Sequence, residues 1–106
     1  MKVLFICNQN ENRSKTAEET FKDFFETRSA GLFNQYPVTK KDMQWADLII
    51  VMEEKQRAEL SIRFPAQYLK KRILSLNIPD VYYYNQPELI NLLKERFNYL
   101  IASAIP

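Results

Sequence analysis

The only cysteine of the chain, Cys7, ends a short apolar run, and Arg13 and Ser14 follow it at the sixth and seventh positions. A thiolate can attack phosphorus, and a planar guanidinium can bind two phosphate oxygens and neutralise charge in the transition state. The Ser14 hydroxyl could hydrogen-bond the thiolate and stabilise it as a leaving group. The pattern indicates a phosphate-binding loop with a thiolate at its base, which would remove a phosphate through a phosphocysteine intermediate.

The elements around this segment are the ones that an anion site requires. The apolar run at residues 3–6 is typical of a buried parallel strand, and residues 8–15 contain no apolar side chain. Helical spacing of apolar residues then predicts a helix from about residue 14 to residue 27. Ligands of open α/β sheets bind beyond the carboxyl ends of strands, where loop N–H groups and a helix N-terminus attract anions. The alternative is that Cys7 is a small buried apolar residue at a strand end.

The loop itself is rich in amides. Its members before the arginine are Asn8, Gln9, Asn10, Glu11 and Asn12. Asparagine tolerates positive φ, so some of these residues could take the place of glycines in a tight loop. Glu11 adds a negative charge close to the expected anion, and the sequence leaves the orientation of its side chain open.

Further segments carry a resemblance to a known family. In chain order they are the loop at 7–14, Arg-Ser-Ala-Gly at 28–31, the run from Trp45 to Glu53, and the segment 78–83, which together span about three quarters of the chain. On these segments the chain resembles the low-molecular-weight protein tyrosine phosphatases. The resemblance implies a hydrolase of phosphotyrosine with Cys7 as nucleophile, Arg13 as phosphate ligand and Ser14 as partner of the thiolate.

The resemblance also implies that Asp80 is a general acid that protonates the leaving oxygen and then returns as a base to activate water. An aspartate after a proline is commonly a turn residue, which is the alternative interpretation. Asp80 follows the last strand-like run, so its loop can lie at the same sheet edge as Cys7, within the reach that a general acid requires. Tyr82 and Tyr83 are candidates for a wall of the substrate cleft, with core packing as the alternative.

The sequence departs from the family pattern at four places. Gln9 stands where a glycine is usual, Asn12 replaces a second cysteine, and Lys15 and Val81 replace prolines. These changes put reaction rate and substrate preference in question more than the chemistry. The chain is also shorter than is usual for the family, with shortening expected between Gly31 and Trp45.

Composition sets further bounds. With 106 residues the chain is expected to form one domain, 1–106, and its net charge of +2 is too small to favour nucleic-acid binding. One cysteine and no histidine make a transition-metal site improbable, and no cofactor is expected. The sequence has no apolar stretch of membrane-spanning length, and a thiolate enzyme suits a reducing cytoplasm. The expected site ligands are phosphate, sulfate or vanadate, and the expected partner is a phosphorylated protein or a small phosphoester.

The remaining pattern predicts an α/β fold of three layers. Strands are predicted at about residues 2–7, 28–31, 48–52 and 72–76, and later helices at about 40–45, 54–63 and from Pro87 onward. Strands that alternate with helices predict a parallel sheet with helices on both faces, and the resemblance implies the strand order 2-1-3-4. Two alternative functions remain: an arsenate reductase that uses an external thiol, and an inactive phosphate- or phosphoprotein-binding module.

Overall fold

Strands and helices alternate along residues 1–104, the part of the chain that the computed structural model describes, with side chains as far as Ala102. The strands are β1 (Lys2–Cys7), β2 (Glu26–Gly31), β3 (Leu48–Val51) and β4 (Arg72–Ser75). The helices are α1 (Arg13–Phe21), α2 (Lys40–Trp45), α3 (Glu54–Arg63), α4 (Pro65–Lys70) and α5 (Pro87–Ala104). The last two residues of the predicted domain lie outside this description.

The four strands form one parallel sheet in the order β2-β1-β3-β4, which confirms the predicted fold class. Cys7 at the end of β1 pairs with Gly31 of β2, and Ile6 pairs with Val51 of β3. The carboxyl ends of the two neighbouring strands therefore flank Cys7. Loops that leave these ends converge on one edge of the sheet, where an α/β fold binds its ligands.

Both faces of the central strands are buried, because alternate side chains of each strand point into different helical layers. On one face, Phe5 and Ile50 pack with α1 and α5. On the other face, Leu4 and Ile49 pack with side chains from α2, α3 and α4. This double burial explains why β1 and β3 are continuous apolar runs rather than alternating ones.

Two predicted elements differ from the structure. Helix α1 ends at Phe21, six residues before the predicted end, and a turn leads into β2 at Glu26. All six residues of β2 pair with β1, beginning at Lys2 opposite Glu26, so residues 26 and 27 are extended. Sheet pairing overrides the helical spacing here, and Phe24, which lies within the predicted helix, follows the end of α1 and is 74% exposed. Helix α4 was not predicted, because Gln67 is its only buried residue and no apolar period marks it.

The other predicted boundaries agree closely with the structure. Strands β3 and β4 each end one residue earlier than predicted, and β2 begins two residues earlier. Thr39 caps α2: its hydroxyl accepts a hydrogen bond from the Asp42 backbone N–H at 3.2 Å. The Asp42 carboxylate accepts one in return from the Thr39 N–H at 2.9 Å. Among residues 1–104, no helix combines the length and apolar character needed to cross a membrane.

Gly31 ends β2 at a point of close backbone approach. A Cβ at this position would lie 3.0 Å from the Asn8 carbonyl oxygen and 2.6 Å from Oδ1 of Asn34. The Asn8 carbonyl accepts hydrogen bonds from the N–H groups of Leu32 at 2.9 Å and Phe33 at 2.8 Å. The glycine thus lets the end of β2 hold the first residue of the loop that follows Cys7.

Candidate active site

The loop between β1 and α1 comprises residues 8–12, as predicted, and α1 begins at Arg13. Among its five residues, all described, only Asn10 has a positive φ, at 55°. The suggestion that an asparagine takes a glycine-like conformation is therefore confirmed for Asn10. Gln9 has no positive φ, so its position does not require a glycine. Gln9 and Glu11 are both exposed.

A short hydrogen-bonded chain connects the thiol to this unusual backbone. The Cys7 Sγ lies 3.0 Å from the Ser14 Oγ. The Ser14 hydroxyl donates a hydrogen bond to the Asn10 Oδ1 at 2.7 Å. Cys7 and Ser14 are both buried. When the Ser14 hydroxyl donates its hydrogen bond to Asn10, its oxygen faces the thiol as an acceptor. When the hydroxyl hydrogen turns toward the sulfur, it stabilises a thiolate.

Arg13 is the largest fully buried side chain of the described residues, with 1% of its surface exposed. Its Nη1 donates to Oε1 of Glu53 at 2.5 Å and to the Ile78 carbonyl at 2.7 Å. Its Nε lies 3.7 Å from Oδ1 of Asp80. A buried guanidinium needs such acceptors, because an unpaired buried charge is costly. Two acceptors on Nη1 fix the plane of the guanidinium.

Asp80 lies in the segment between β4 and α5, and this segment reaches the loop from the carboxyl edge of the sheet. The carboxylate of Asp80 is 58% exposed and approaches Arg13 without a direct hydrogen bond. The preceding Ile78 is fully buried and its N–H donates to the Met52 carbonyl at 2.8 Å. The structure therefore brings Asp80 next to the arginine of the loop, as the position after the last strand predicted.

The three tyrosines that follow Asp80 differ in their surroundings. Tyr82 is half-buried and packs against the core cluster that contains Phe5 and Phe97. Tyr83 is 67% exposed and Tyr84 is 45% exposed. Core packing and a cleft wall are compatible for Tyr82, whereas most of Tyr83 is exposed to solvent.

Asn8 is held from two directions. Its carbonyl accepts from the end of β2, and its side-chain Oδ1 accepts from Nε2 of Gln56 at 3.1 Å. Gln56 is 2% exposed and its Oε1 accepts from the N–H groups of Met52 at 2.8 Å and Glu53 at 3.0 Å. One buried amide thus joins the phosphate-loop candidate to the turn between β3 and α3.

Three residues of this arrangement were missed from the sequence: Glu53, Gln56 and Thr16, whose hydroxyl donates to the Asn12 carbonyl at 2.7 Å and accepts from the Asn85 N–H at 2.9 Å. Glu53 comes directly after β3, at the same sheet edge as Cys7, and the rule for ligand positions in α/β sheets would have found it. The sequence gives no comparable signal for Gln56 or Thr16, because their roles depend on distant partners. Among residues 1–104, no group of three or more acidic, histidine or cysteine side chains is arranged to hold a metal ion.

Comparisons with known proteins identify the architecture. No protein-family model and no curated protein matches the chain. Solved structures do match: the tyrosine phosphatase AmsI from Erwinia amylovora is 18% identical with a TM-score of 0.77 and covers 96% of this chain and 91% of its own. The low-molecular-weight protein tyrosine phosphatase from T. tengcongensis is 20% identical with a TM-score of 0.76, over 97% and 99% of the two chains. The chain has the fold of the low-molecular-weight protein tyrosine phosphatases.

A third match widens the range of chemistry found on this fold. The arginine phosphatase YwlE from Geobacillus stearothermophilus is 18% identical with a TM-score of 0.71, over 96% of this chain and 93% of that protein. The fold similarity confirms the resemblance drawn from the sequence and the sheet order 2-1-3-4. At these identities the likeness establishes the fold, and the activity of this chain is argued from its own residues.

Proposed function

We propose that this protein is a phosphomonoester hydrolase that acts on phosphotyrosine through a phosphocysteine intermediate on Cys7. The observation that carries the proposal is the contact of 3.0 Å between the Cys7 Sγ and the Ser14 Oγ, one residue from a buried arginine at the start of a helix. A thiol, a hydroxyl and a guanidinium at the carboxyl end of a central strand form an environment suited to a nucleophilic thiolate and a phosphate dianion.

In the first step, the Cys7 thiolate attacks phosphorus and the bond from phosphorus to the leaving oxygen breaks. Asp80, in its acid form, donates a proton to that oxygen, so that a neutral phenol departs. The products of this step are a phosphocysteine and the Asp80 carboxylate. The Ser14 hydroxyl, released from Asn10, can turn toward the sulfur and stabilise its negative charge before the attack.

In the second step, the Asp80 carboxylate removes a proton from water, and the water oxygen attacks phosphorus. The bond between phosphorus and sulfur breaks, inorganic phosphate leaves, and the Cys7 thiolate and the protonated Asp80 are restored. Ser14 stabilises the sulfur in this step as a leaving group. The exposure of Asp80 supports this double role, because a water molecule can reach its carboxylate.

Arg13 supports the transfer by geometry as well as by charge. Glu53 and the Ile78 carbonyl accept from Nη1, so the edge formed by Nε and Nη2 is the one left for two phosphate oxygens. That edge faces the side on which Asp80 lies. A guanidinium fixed in this way stabilises the charge of the transferring phosphoryl group without reorganising during the reaction.

The aromatic side chains near the acid support an aryl phosphate as substrate. Tyr83 is an exposed aromatic residue three positions after Asp80, and Tyr82 is partly buried against the core. A phenyl ring can pack against such a surface while its phosphate reaches the loop. The thiolate's need for reducing conditions supports a location in the cytoplasm.

The first test is hydrolysis of p-nitrophenyl phosphate by the wild type and by Cys7→Ser and Asp80→Ala. We expect no detectable turnover for Cys7→Ser. For Asp80→Ala we expect kcat/KM to fall about 100-fold or more with phenyl phosphate, the usual size of a general-acid contribution, and by less with p-nitrophenyl phosphate, whose leaving group departs without protonation. Vanadate should inhibit the wild type in competition with the substrate. Phosphotyrosine peptides are then compared with small phosphoesters to define the substrate.

Other outcomes would point to the alternatives. A wild type that binds phosphate or vanadate without turnover would be a binding module. Reduction of arsenate that requires an added thiol would support an arsenate reductase. A protein that neither hydrolyses phosphoesters nor binds anions would leave Cys7 as a core residue, and the proposal would be wrong.

A further inference from the structure

The segment that carries Asp80 is fastened to α1 at both of its ends. At its start, the Ile78 carbonyl accepts a hydrogen bond from Nη1 of Arg13 at 2.7 Å. At its end, the backbone N–H of Asn85 donates to Oγ1 of Thr16 at 2.9 Å. Between these two contacts the chain lies largely at the surface, with Asp80 58% exposed.

Arg13 and Thr16 are three positions apart in α1, so they lie on the same face of the helix. Each of them holds one end of the same segment. Asp80 itself forms an ion pair with Arg13 at 3.7 Å, beyond hydrogen-bonding distance. The two backbone contacts therefore contribute to the position of the acid.

The Thr16 hydroxyl is suited to this task because it connects two loops at once. It is fully buried, and it donates to the Asn12 carbonyl at 2.7 Å while it accepts from Asn85. Asn12 belongs to the loop that would bind phosphate. A hydroxyl has both a proton and lone pairs, so a single oxygen can make both contacts.

The far end of the segment is itself a fixed turn. Asn85 has a φ of 56°, in the left-handed region that asparagine tolerates better than most residues. The Tyr83 N–H donates to Oε1 of Gln86 at 3.1 Å, and α5 begins at the next residue, Pro87. Because this turn is hydrogen-bonded to Thr16, the residues that precede the turn are held at a defined distance from α1.

We propose that Thr16 is a positioning residue for the general acid: its hydroxyl couples the Asp80 segment to the phosphate loop and so sets the distance from the carboxylate to the leaving oxygen. This inference rests on the proposed function and on Asp80 as its acid. Thr16 does not contact substrate. It acts on the reaction only through the segment that it holds.

Dependence on the leaving group tests this role. Phenyl phosphate has a poor leaving group that needs protonation, whereas p-nitrophenolate leaves readily without it. The value of kcat/KM reports transfer to Cys7, the step in which the acid acts. Thr16→Val keeps the shape of the side chain and removes both hydrogen bonds of the hydroxyl.

For Thr16→Val we expect kcat/KM to fall about tenfold with phenyl phosphate and by about threefold at most with p-nitrophenyl phosphate, because part of the general-acid contribution is lost. The inhibition constant of inorganic phosphate should stay close to the wild-type value. The backbone bond from the Thr16 N–H to the Asn12 carbonyl, at 2.9 Å, remains and preserves the loop. Thr16→Ser keeps the hydroxyl, and its kcat/KM should be close to the wild-type value for both substrates.

Thr27→Val is the matched control. The Thr27 hydroxyl also donates to a backbone carbonyl, that of Glu18 at 3.0 Å, but it joins α1 to the start of β2 at the other end of the sheet. It should show the same kcat/KM ratio for the two substrates as the wild type. If Thr16→Val does not fold, Thr16→Ala serves in its place with the same expectation.

Two results would overturn the inference. One is a folded Thr16→Val with wild-type kcat/KM for phenyl phosphate; the other is an equal loss with both substrates together with weaker phosphate binding, which would mean damage to the loop. Asp80→Asn separates this failure from failure of the proposed function. If Asp80→Asn shows the leaving-group dependence and Thr16→Val does not, only the inference is wrong. If Asp80→Asn shows none, Asp80 is not the acid and both assignments are wrong.

Discussion

At the scale of single residues, the site depends on one backbone angle. Asn10 has a φ of 55°, and its side chain accepts a hydrogen bond from the Ser14 hydroxyl. It therefore shapes the loop and orients the hydroxyl that faces the thiol. Residues other than glycine, asparagine and aspartate adopt this conformation only at a cost in free energy. The two contributions of Asn10 can be separated by substitution.

Asn10→Gly should keep the loop conformation and lose only the contact with Ser14. Asn10→Ala loses the contact and also pays a backbone cost of about 1 kcal/mol. We expect kcat/KM for p-nitrophenyl phosphate to fall for both variants, and the free energy of unfolding to fall more for Asn10→Ala. Urea unfolding and steady-state kinetics measure the two quantities. Equal stability of the two variants would show that the positive φ carries no cost here.

Glu53 is the second residue whose effect can be isolated. Arg13 is buried, and Glu53→Ala would leave its Nη1 with the Ile78 carbonyl alone. Loss of a hydrogen bond to a charged group should lower the free energy of unfolding by about 2 kcal/mol. It should also lower kcat/KM, because the guanidinium plane is no longer held.

Glu54→Ala is the matched control for this prediction, since Glu54 is 63% exposed and pairs with Arg57 at the surface. Its free energy of unfolding should change by about 0.5 kcal/mol or less. If Glu53→Ala were as stable and as active as Glu54→Ala, the buried pair would have no part in placing Arg13.

At the scale of elements, the site is assembled from three chain segments that reach one edge of the sheet. The segment from the end of β1 to the start of α1 supplies the thiol and the guanidinium, the turn after β3 supplies Glu53, and the segment after β4 supplies Asp80. Gln56 in α3 joins the first two of these segments through its single buried amide. Displacement of α3 should therefore shift the loop through the contact between Gln56 and Asn8.

Gln56→Met keeps the length of the side chain and removes all three of its hydrogen bonds. We expect the free energy of unfolding to fall by about 1–3 kcal/mol, because the buried N–H of Met52 loses its acceptor. We also expect the inhibition constant of phosphate to rise as Asn8 is released. Gln67→Met, at a buried glutamine of α4 outside the site, is the control. Unchanged phosphate inhibition in a folded Gln56→Met would contradict the coupling.

The sequence predicted the parts of the site that are local in the chain and, from its position after the last strand, the approach of Asp80 to Arg13. Cys7, Arg13 and Ser14 lie within eight residues of one another, so a strand, a loop and a helix start are enough to bring them together. Glu53 and Asn85 contact α1 from sequence separations of 40 and 69 residues, and these contacts depend on the register of strands and on turns. The end of α1 was mispredicted for the same reason, since pairing of β2 with β1 decides it.

At the scale of the whole molecule, one aromatic cluster joins the two helices that cover one face of the sheet. The Phe97 ring of α5 lies 4.5 Å from Phe21, 5.7 Å from Phe25 and 6.4 Å from Phe5, measured between ring centroids. This ring is the point at which β1, the end of α1, the turn after α1 and α5 meet. Together with the buried Leu89 and Leu93, it holds α5 on the sheet.

Phe97→Ala should lower the free energy of unfolding by about 3–5 kcal/mol, the usual range for a buried aromatic truncated to alanine. Phe97→Leu, which fills more of the space, should lose less. Urea titration measures both. Below the unfolding transition, kcat/KM should remain near the wild-type value, because the ring partners of Phe97 lie outside the loop. A selective loss of kcat/KM in folded Phe97→Ala would mean that α5 also shapes the site.

The burial of a sole thiol beside a hydroxyl has a consequence for oxidative damage. Peroxide converts a thiolate to a sulfenic acid, which a neighbouring cysteine can trap as a disulfide before further oxidation. Here the group next to the Cys7 sulfur is the Ser14 hydroxyl, and the chain has one cysteine. Rescue must therefore come from an external thiol that reaches a residue only 3% exposed. Dithiothreitol should restore activity after brief peroxide treatment but not after prolonged treatment, when mass spectrometry should show sulfinic acid at Cys7.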